Sequence, residues 1–234
     1  MKTRIELLDL WRSLCVFLML GYHLLYDLAA FGYLDAAVMS SLPLRAVRGF
    51  GGGSFILISG AALCFSAQPL RRGFFLLCVG AAVTAATAAT AAVGYPAAFG
   101  VLELLGVCQM VFGALRPRLE RVRLPYLAAV AAIAFALTAA LTARVTVAWR
   151  WLYPLGLKYP GFYSSDYYPV FPWAFLFLLG FCLGRRMAAR REELPLLSAH
   201  FPPALTFAGR HSLLIYLVHQ PLFWGVLTLL QKMA

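Results

Sequence analysis

Charge is what this sequence has least of. Only 12% of its 234 residues are Asp, Glu, Lys or Arg, nine of them acidic, where an ordinary soluble domain carries roughly 25%. Too few polar side chains remain to cover a water-facing surface, which excludes a soluble enzyme. Cysteine is sparse and unpatterned: Cys15, Cys64, Cys78, Cys108 and Cys182 are odd in number, lie in apolar segments and form no CxxC or His-rich spacing. Neither a disulfide framework nor a metal site is expected. No cleavable leader is expected either. The basic pair Lys2 and Arg4 precedes an apolar stretch, but Arg12, His23 and Asp27 interrupt it and no small-residue cleavage site follows, so a retained first span is expected.

Apolar residues make up 62% of the chain. Roughly 20 of them cross a bilayer as a helix, and in lipid only helices or closed barrels satisfy their own backbone polar groups. The expected fold is an all-α polytopic membrane protein, a bundle of about seven transmembrane helices forming one integral domain over residues 1–234. Apolar runs between charged or Pro/Gly breaks place the spans at 9–31, 50–67, 73–93, 98–115, 124–143, 168–184 and 209–231. Arginines collect in alternate connections: Arg71 and Arg72, then Arg116, Arg118, Arg121 and Arg123, then Arg185, Arg186, Arg190 and Arg191. The connections at 94–96 and 144–167 carry few for their length. The positive-inside rule therefore puts the N terminus in the cytoplasm and the C terminus outside, with Arg45 and Arg48 dissenting. The net charge of +11 is explained by these loops, and no nucleic-acid partner is expected.

Ionisable residues inside spans are costly and mark candidate sites. Arg12 and His23 lie 11 positions apart on the first helix, about 16 Å along its axis and nearly on one face. Asp27 follows His23 by one turn, where it either holds the ring's tautomer or makes a buried structural pair with it. Glu103 lies at a depth similar to Asp27, and Asp166 opens the sixth span from the same side. Either they form an acidic outer pocket, or Glu103 pairs with a basic side chain. The aromatics of the 144–167 segment and Tyr168 form either an interfacial belt or a stacking floor for a sugar ring. Three consecutive glycines, Gly51, Gly52 and Gly53, make a poor helix interior and predict a flexible or close-approach segment beside a cavity. The small-residue run from Gly80 predicts close packing with interhelical threonine bonds. Pro221 predicts a kink, with His219 either bonding the freed backbone or lining a cavity.

Arg4-Ile-Glu-Leu-Leu-Asp-Leu-Trp-Arg12 followed by Met19-Leu-Gly-Tyr-His23 resembles the first helix of the transmembrane acyltransferases, and Phe55-Ile-Leu-Ile-Ser-Gly60 resembles their second. Asp166-Tyr-Tyr-Pro-Val-Phe-Pro-Trp173 with Gly180, and Gly209-Arg-His-Ser-Leu-Leu-Ile-Tyr-Leu-Val-His-Gln-Pro221, resemble bacterial members of the heparan-alpha-glucosaminide N-acetyltransferase catalytic family. Four motifs in order cover nearly the whole chain. Two features depart from the pattern: Gly100-Val-Leu-Glu103 carries a glutamate where relatives often have histidine or glutamine, and the chain has fewer spans than the better-understood members.

The resemblance implies transfer of an acyl group, acetyl in this family, from cytoplasmic acyl-CoA to an extracytoplasmic sugar or aminosugar-like acceptor. The setting is a multi-pass protein of the bacterial cell membrane that modifies envelope carbohydrate. On this reading His23, supported by Asp27, is general base or nucleophile. Arg12, Arg72, Arg210 and His219 bind the donor, and Glu103, Asp166 and Trp173 bind the acceptor. A homodimer either completes the short bundle or the activity is lost. The alternative from another class is a transporter that uses His23, Asp27, Glu103 and His219 as a relay.

Overall fold

The computed structural model describes residues 5–89 and 97–233. Lys2, Arg4 and the connection at 94–96 lie outside the described residues. Eight α-helices occur among those described: α1 (Glu6–Ala30), α2 (Leu42–Leu63), α3 (Pro69–Ala89), α4 (Val101–Leu119), α5 (Leu124–Arg144), α6 (Val170–Ala189), α7 (Pro203–Arg210) and α8 (Ser212–Met233). Six of them, all but α4 and α7, are long and apolar enough to cross a membrane. The seven expected spans thus correspond to seven long helices, one of which fails on composition. Within its 19 residues α4 carries Glu103, Arg116 and Arg118, and charge of that density is disfavoured against lipid.

Burial runs opposite to apolarity. The polar-ended α4 buries six consecutive residues from Val101 to Gly106. The uniformly apolar α5 leaves Tyr126, Val130, Ile133, Leu137 and Leu141 exposed along one stripe. A helix apolar all round has its solvent in hydrocarbon, whereas one carrying a carboxylate must be enclosed by protein.

Two compact units divide the chain, Met1–Ile58 with Arg190–Ala234, and Ser59–Ala189. In the first, α7 and then α8 pack on α1. Gly209 of α7 comes so near α1 that a methyl there would run into the Asp9 carbonyl, while its N–H donates to Ser13 Oγ at 2.7 Å. Further along both helices His219 meets His23, and Trp224 meets Phe31, so α1 and α8 run in the same direction.

In the second unit α3 and α4 are antiparallel neighbours with glycines at the seam. A methyl on Gly73 would stand 2.8 Å from the Gly106 carbonyl, and one on Gly80 would stand 2.9 Å from Glu103 Cγ. This is the packing expected of the small-residue run. The last turn of α2 runs alongside α6, where a methyl on Gly60 would strike the Phe177 carbonyl and one on Gly184 would strike that of Ala61.

Two local expectations need correction. The Gly51–Gly52–Gly53 segment is continuous helix within α2. The intrinsic penalty on glycine is measured in water, but apolar surroundings offer an unbonded backbone no other partner, so the helix persists. The last long helix begins at Ser212 rather than 209, because the chain turns at His211 and leaves Arg210 at the end of the separate α7.

Candidate functional site

Among the described residues the polar side chains gather at several separate places. At the start of α1, Arg12 donates to Asp9 Oδ1 at 3.0 Å, and Arg210 reaches Glu6 at 3.3 Å and Asp9 at 3.9 Å. Glu6 also accepts the Phe201 N–H at 2.8 Å. Two of the four residues expected to bind the donor, Arg12 and Arg210, are therefore brought together over one shared carboxylate, that of Asp9. Asp9, 3% exposed, was not expected; its signal was its position three residues before Arg12, one turn away on the same face.

One and a half turns beyond mid-helix on α1, His23 packs edge-on against His219 of α8, their ring centroids 5.0 Å apart. His219 Nδ1 donates to the Tyr216 carbonyl at 2.7 Å. A carbonyl can only accept, so in the neutral ring the proton lies on Nδ1 and Nε2 is a bare lone pair. Pro221 removes the donor to Leu217, yet His219 bonds Tyr216, so it does not repair the gap that the proline leaves. The expectation that Asp27 orients His23 is also corrected. Asp27 is fully buried, and its Oδ1 accepts from Gln220 Nε2 at 2.8 Å and Trp224 Nε1 at 3.2 Å. One turn along a helix brings side chains level, but α8 offers two donors facing the carboxylate and wins it.

In the second unit Glu103 and Asp166 meet the N-terminus of α4. Glu103 Oε2 accepts from the Gly100 N–H at 2.8 Å and Oε1 from the Thr84 hydroxyl. Asp166 Oδ2 accepts from the Val101 N–H at 3.1 Å. First-turn N–H groups have no partner inside their helix, and carboxylates there also meet the positive end of its dipole. Among the described residues Glu103 is thus paired with no basic side chain, and its two oxygens are spent on α4 and α3. Trp173 packs against Tyr168 and Phe135 near the start of α6.

Arginines from the basic connections are engaged in the same way at helix C-termini. Arg116 donates to the carbonyls of Leu63, Cys64 and Ser66 as α2 ends, and Arg185 to those of Leu119, Glu120 and Val122 as α4 ends. Their charge meets the negative end of a helix, so they are held as caps instead of being open to phosphate. Arg72 stands exposed on the first turn of α3.

The aromatics between α5 and α6 pack on one another, with Phe162 against Tyr153, Tyr159 and Tyr167. The Tyr167 hydroxyl donates to the Tyr153 carbonyl at 2.7 Å, and burial pushes its phenol up to about 12. Among the described residues no group of three or more His, Cys, Asp and Glu side chains is placed to hold a metal.

Six membrane-length helices, with a histidine pair and a carboxylate inside two of them, define a multi-pass membrane protein carrying ionisable groups within its spans. The model of the catalytic domain of heparan-alpha-glucosaminide N-acetyltransferase matches residues 4–221, and the chain belongs to that family. Membership implies acetyltransferase activity with acetyl-CoA as donor. Neither the curated proteins nor the solved structures give a match.

Proposed function

We propose that the chain moves the acetyl group of acetyl-CoA, bound from the cytoplasm, to a sugar or aminosugar acceptor on the other side of the membrane. The observation carrying this reading is the order of groups along α1: Arg12, joined by Arg210, at its beginning, and His23 about 16 Å further along the axis against His219. Guanidinium forks suit the donor's phosphates. The pantetheine arm runs along α1 and delivers the thioester to His23, which either takes the acceptor's proton or is itself acylated. Arg72 adds a further cation on the donor side, while Asp166 and Trp173 stand with the acceptor's side.

The same reading has seven crossings, N terminus inside and C terminus outside. Helix direction supports it. If α4 did not cross, α6 would be the fifth crossing and would oppose α2, the second; instead the two run alike, as do α1 and α8. Its antiparallel pairing along α3 supports the same count.

Release of free CoA from acetyl-CoA by the purified full chain, with and without an aminosugar, tests the activity. Acceptor-stimulated release is expected. No release with any acceptor would leave the buried groups to a relay and overturn the reading.

A further inference from the structure

The connection between α5 and α6 folds back onto the helices that it joins. It contains a short 3-10 helix, Arg150–Leu155, closed by Gly156 at φ 104°. A methyl on Gly156 would stand 2.5 Å from the Phe171 carbonyl and 2.8 Å from Thr142 Cγ2, so this turn lies against the last turn of α5 and the start of α6. Both helices are long and apolar enough to cross a membrane, which puts the connection at headgroup depth. Two cations are splinted there. The Val147 N–H donates to the Lys158 carbonyl at 2.9 Å, Arg150 Cζ stands 5.4 Å over the Tyr159 ring, and Lys158 Nζ stands 5.4 Å over that of Tyr167. A ring face orients a cation without neutralising it. From Leu124 to Ser165 the sequence has three cations, Arg144, Arg150 and Lys158, and no acidic residue. All three are exposed, and among the described residues none pairs with a carboxylate. Beside them Trp149 and Trp151, 64% and 70% exposed, stack with ring centroids 6.2 Å apart.

We propose that this face binds anionic phospholipid of the leaflet that meets the C-terminal end of α5. The two tryptophans enter between headgroups, and Arg144, Arg150 and Lys158 take lipid phosphates. Two observations choose this occupant. Tryptophan has an apolar body and one N–H and favours the headgroup layer, so the exposed pair matches a lipid surface and no soluble anion. Three unneutralised cations match a net negative surface, which a zwitterionic lipid lacks. The inference needs α5 and α6 to cross the membrane and is independent of acetyl transfer.

The experiment is fluorescence quenching of the purified full chain in phosphatidylcholine vesicles, titrated with either phosphatidylglycerol or phosphatidylcholine brominated in the acyl chains. The emission of the tryptophan pair is the difference between wild type and Trp149→Phe/Trp151→Phe. Brominated phosphatidylglycerol is expected to quench it at a share of the lipid lower by about tenfold or more. Arg150→Gln and Lys158→Gln should each reduce that preference about fivefold, and together bring it close to parity. Equal quenching by the two lipids in wild type, or a preference intact in the double variant, would overturn the proposal. So would quenching by neither lipid, which would turn the tryptophans toward protein or water. A preference abolished by inorganic phosphate at constant ionic strength would mark a free-phosphate site and overturn it too. Should the variants not fold, raising salt on wild type from about 0.1 to about 1 M shortens the screening length roughly threefold and should erase the preference; one that survives would contradict charge recognition.

Discussion

The proposed function gives His23 and Arg12 distinct duties on one helix, and single substitutions separate them. His23→Ala should reduce acceptor-dependent CoA release by about 100-fold or more, the range for loss of a positioned acid–base group, with little change in the KM for acetyl-CoA. Arg12→Ala should instead raise that KM by about tenfold or more, and Arg12→Lys should recover only part, since an ammonium lacks the planar fork. Steady-state kinetics on purified variants checks both, and equal KM in all three proteins would reduce Arg12 to holding Asp9. Arg12 and His23 were legible in the sequence because eleven residues on a helix fix a separation and a face. The partners of Asp27 were not: Gln220 and Trp224 stand 193 and 197 positions away, and no local spacing encodes which distant donor reaches a buried carboxylate first.

At the scale of elements, helix positions were readable from apolar runs, whereas the contacts that close helix ends were not. Arg116 and Arg185 look like members of loop clusters until the structure shows each reaching a carbonyl terminus more than 50 positions away. Glu103 reads as a possible pocket acid until Gly100 and Thr84 take both its oxygens. Glu103→Gln keeps one acceptor for the Gly100 N–H and turns its NH2 toward the Thr84 hydroxyl, which can accept in place of donating. Losing the carboxylate's charge at the start of α4 should cost about 1 kcal/mol of stability and leave acceptor preference unchanged; thermal unfolding beside an acceptor screen decides. Gly209→Val should free α7 from α1 by clashing with Asp9 and Ser13, at about 3 kcal/mol or more. Limited proteolysis after residue 200 would reveal it, and an unchanged digestion pattern would show that the α1–α7 seam is not tight.

For the whole molecule, the charge pattern and helix direction make one statement about the count of crossings. A reporter active only in the cytoplasm, fused after Ala234, should be silent, and one fused in the connection after Arg118 should be active. Activity at the C terminus would make the number of crossings even and remove α4 from the membrane. The central claim is narrower: a membrane acetyltransferase whose chemistry depends on His23. The most direct measurement is free CoA released from acetyl-CoA in the presence of glucosamine by wild type and by His23→Ala, purified side by side with matching unfolding temperatures. The account predicts steady release by wild type and background release by the variant. Equal release by both proteins would contradict it.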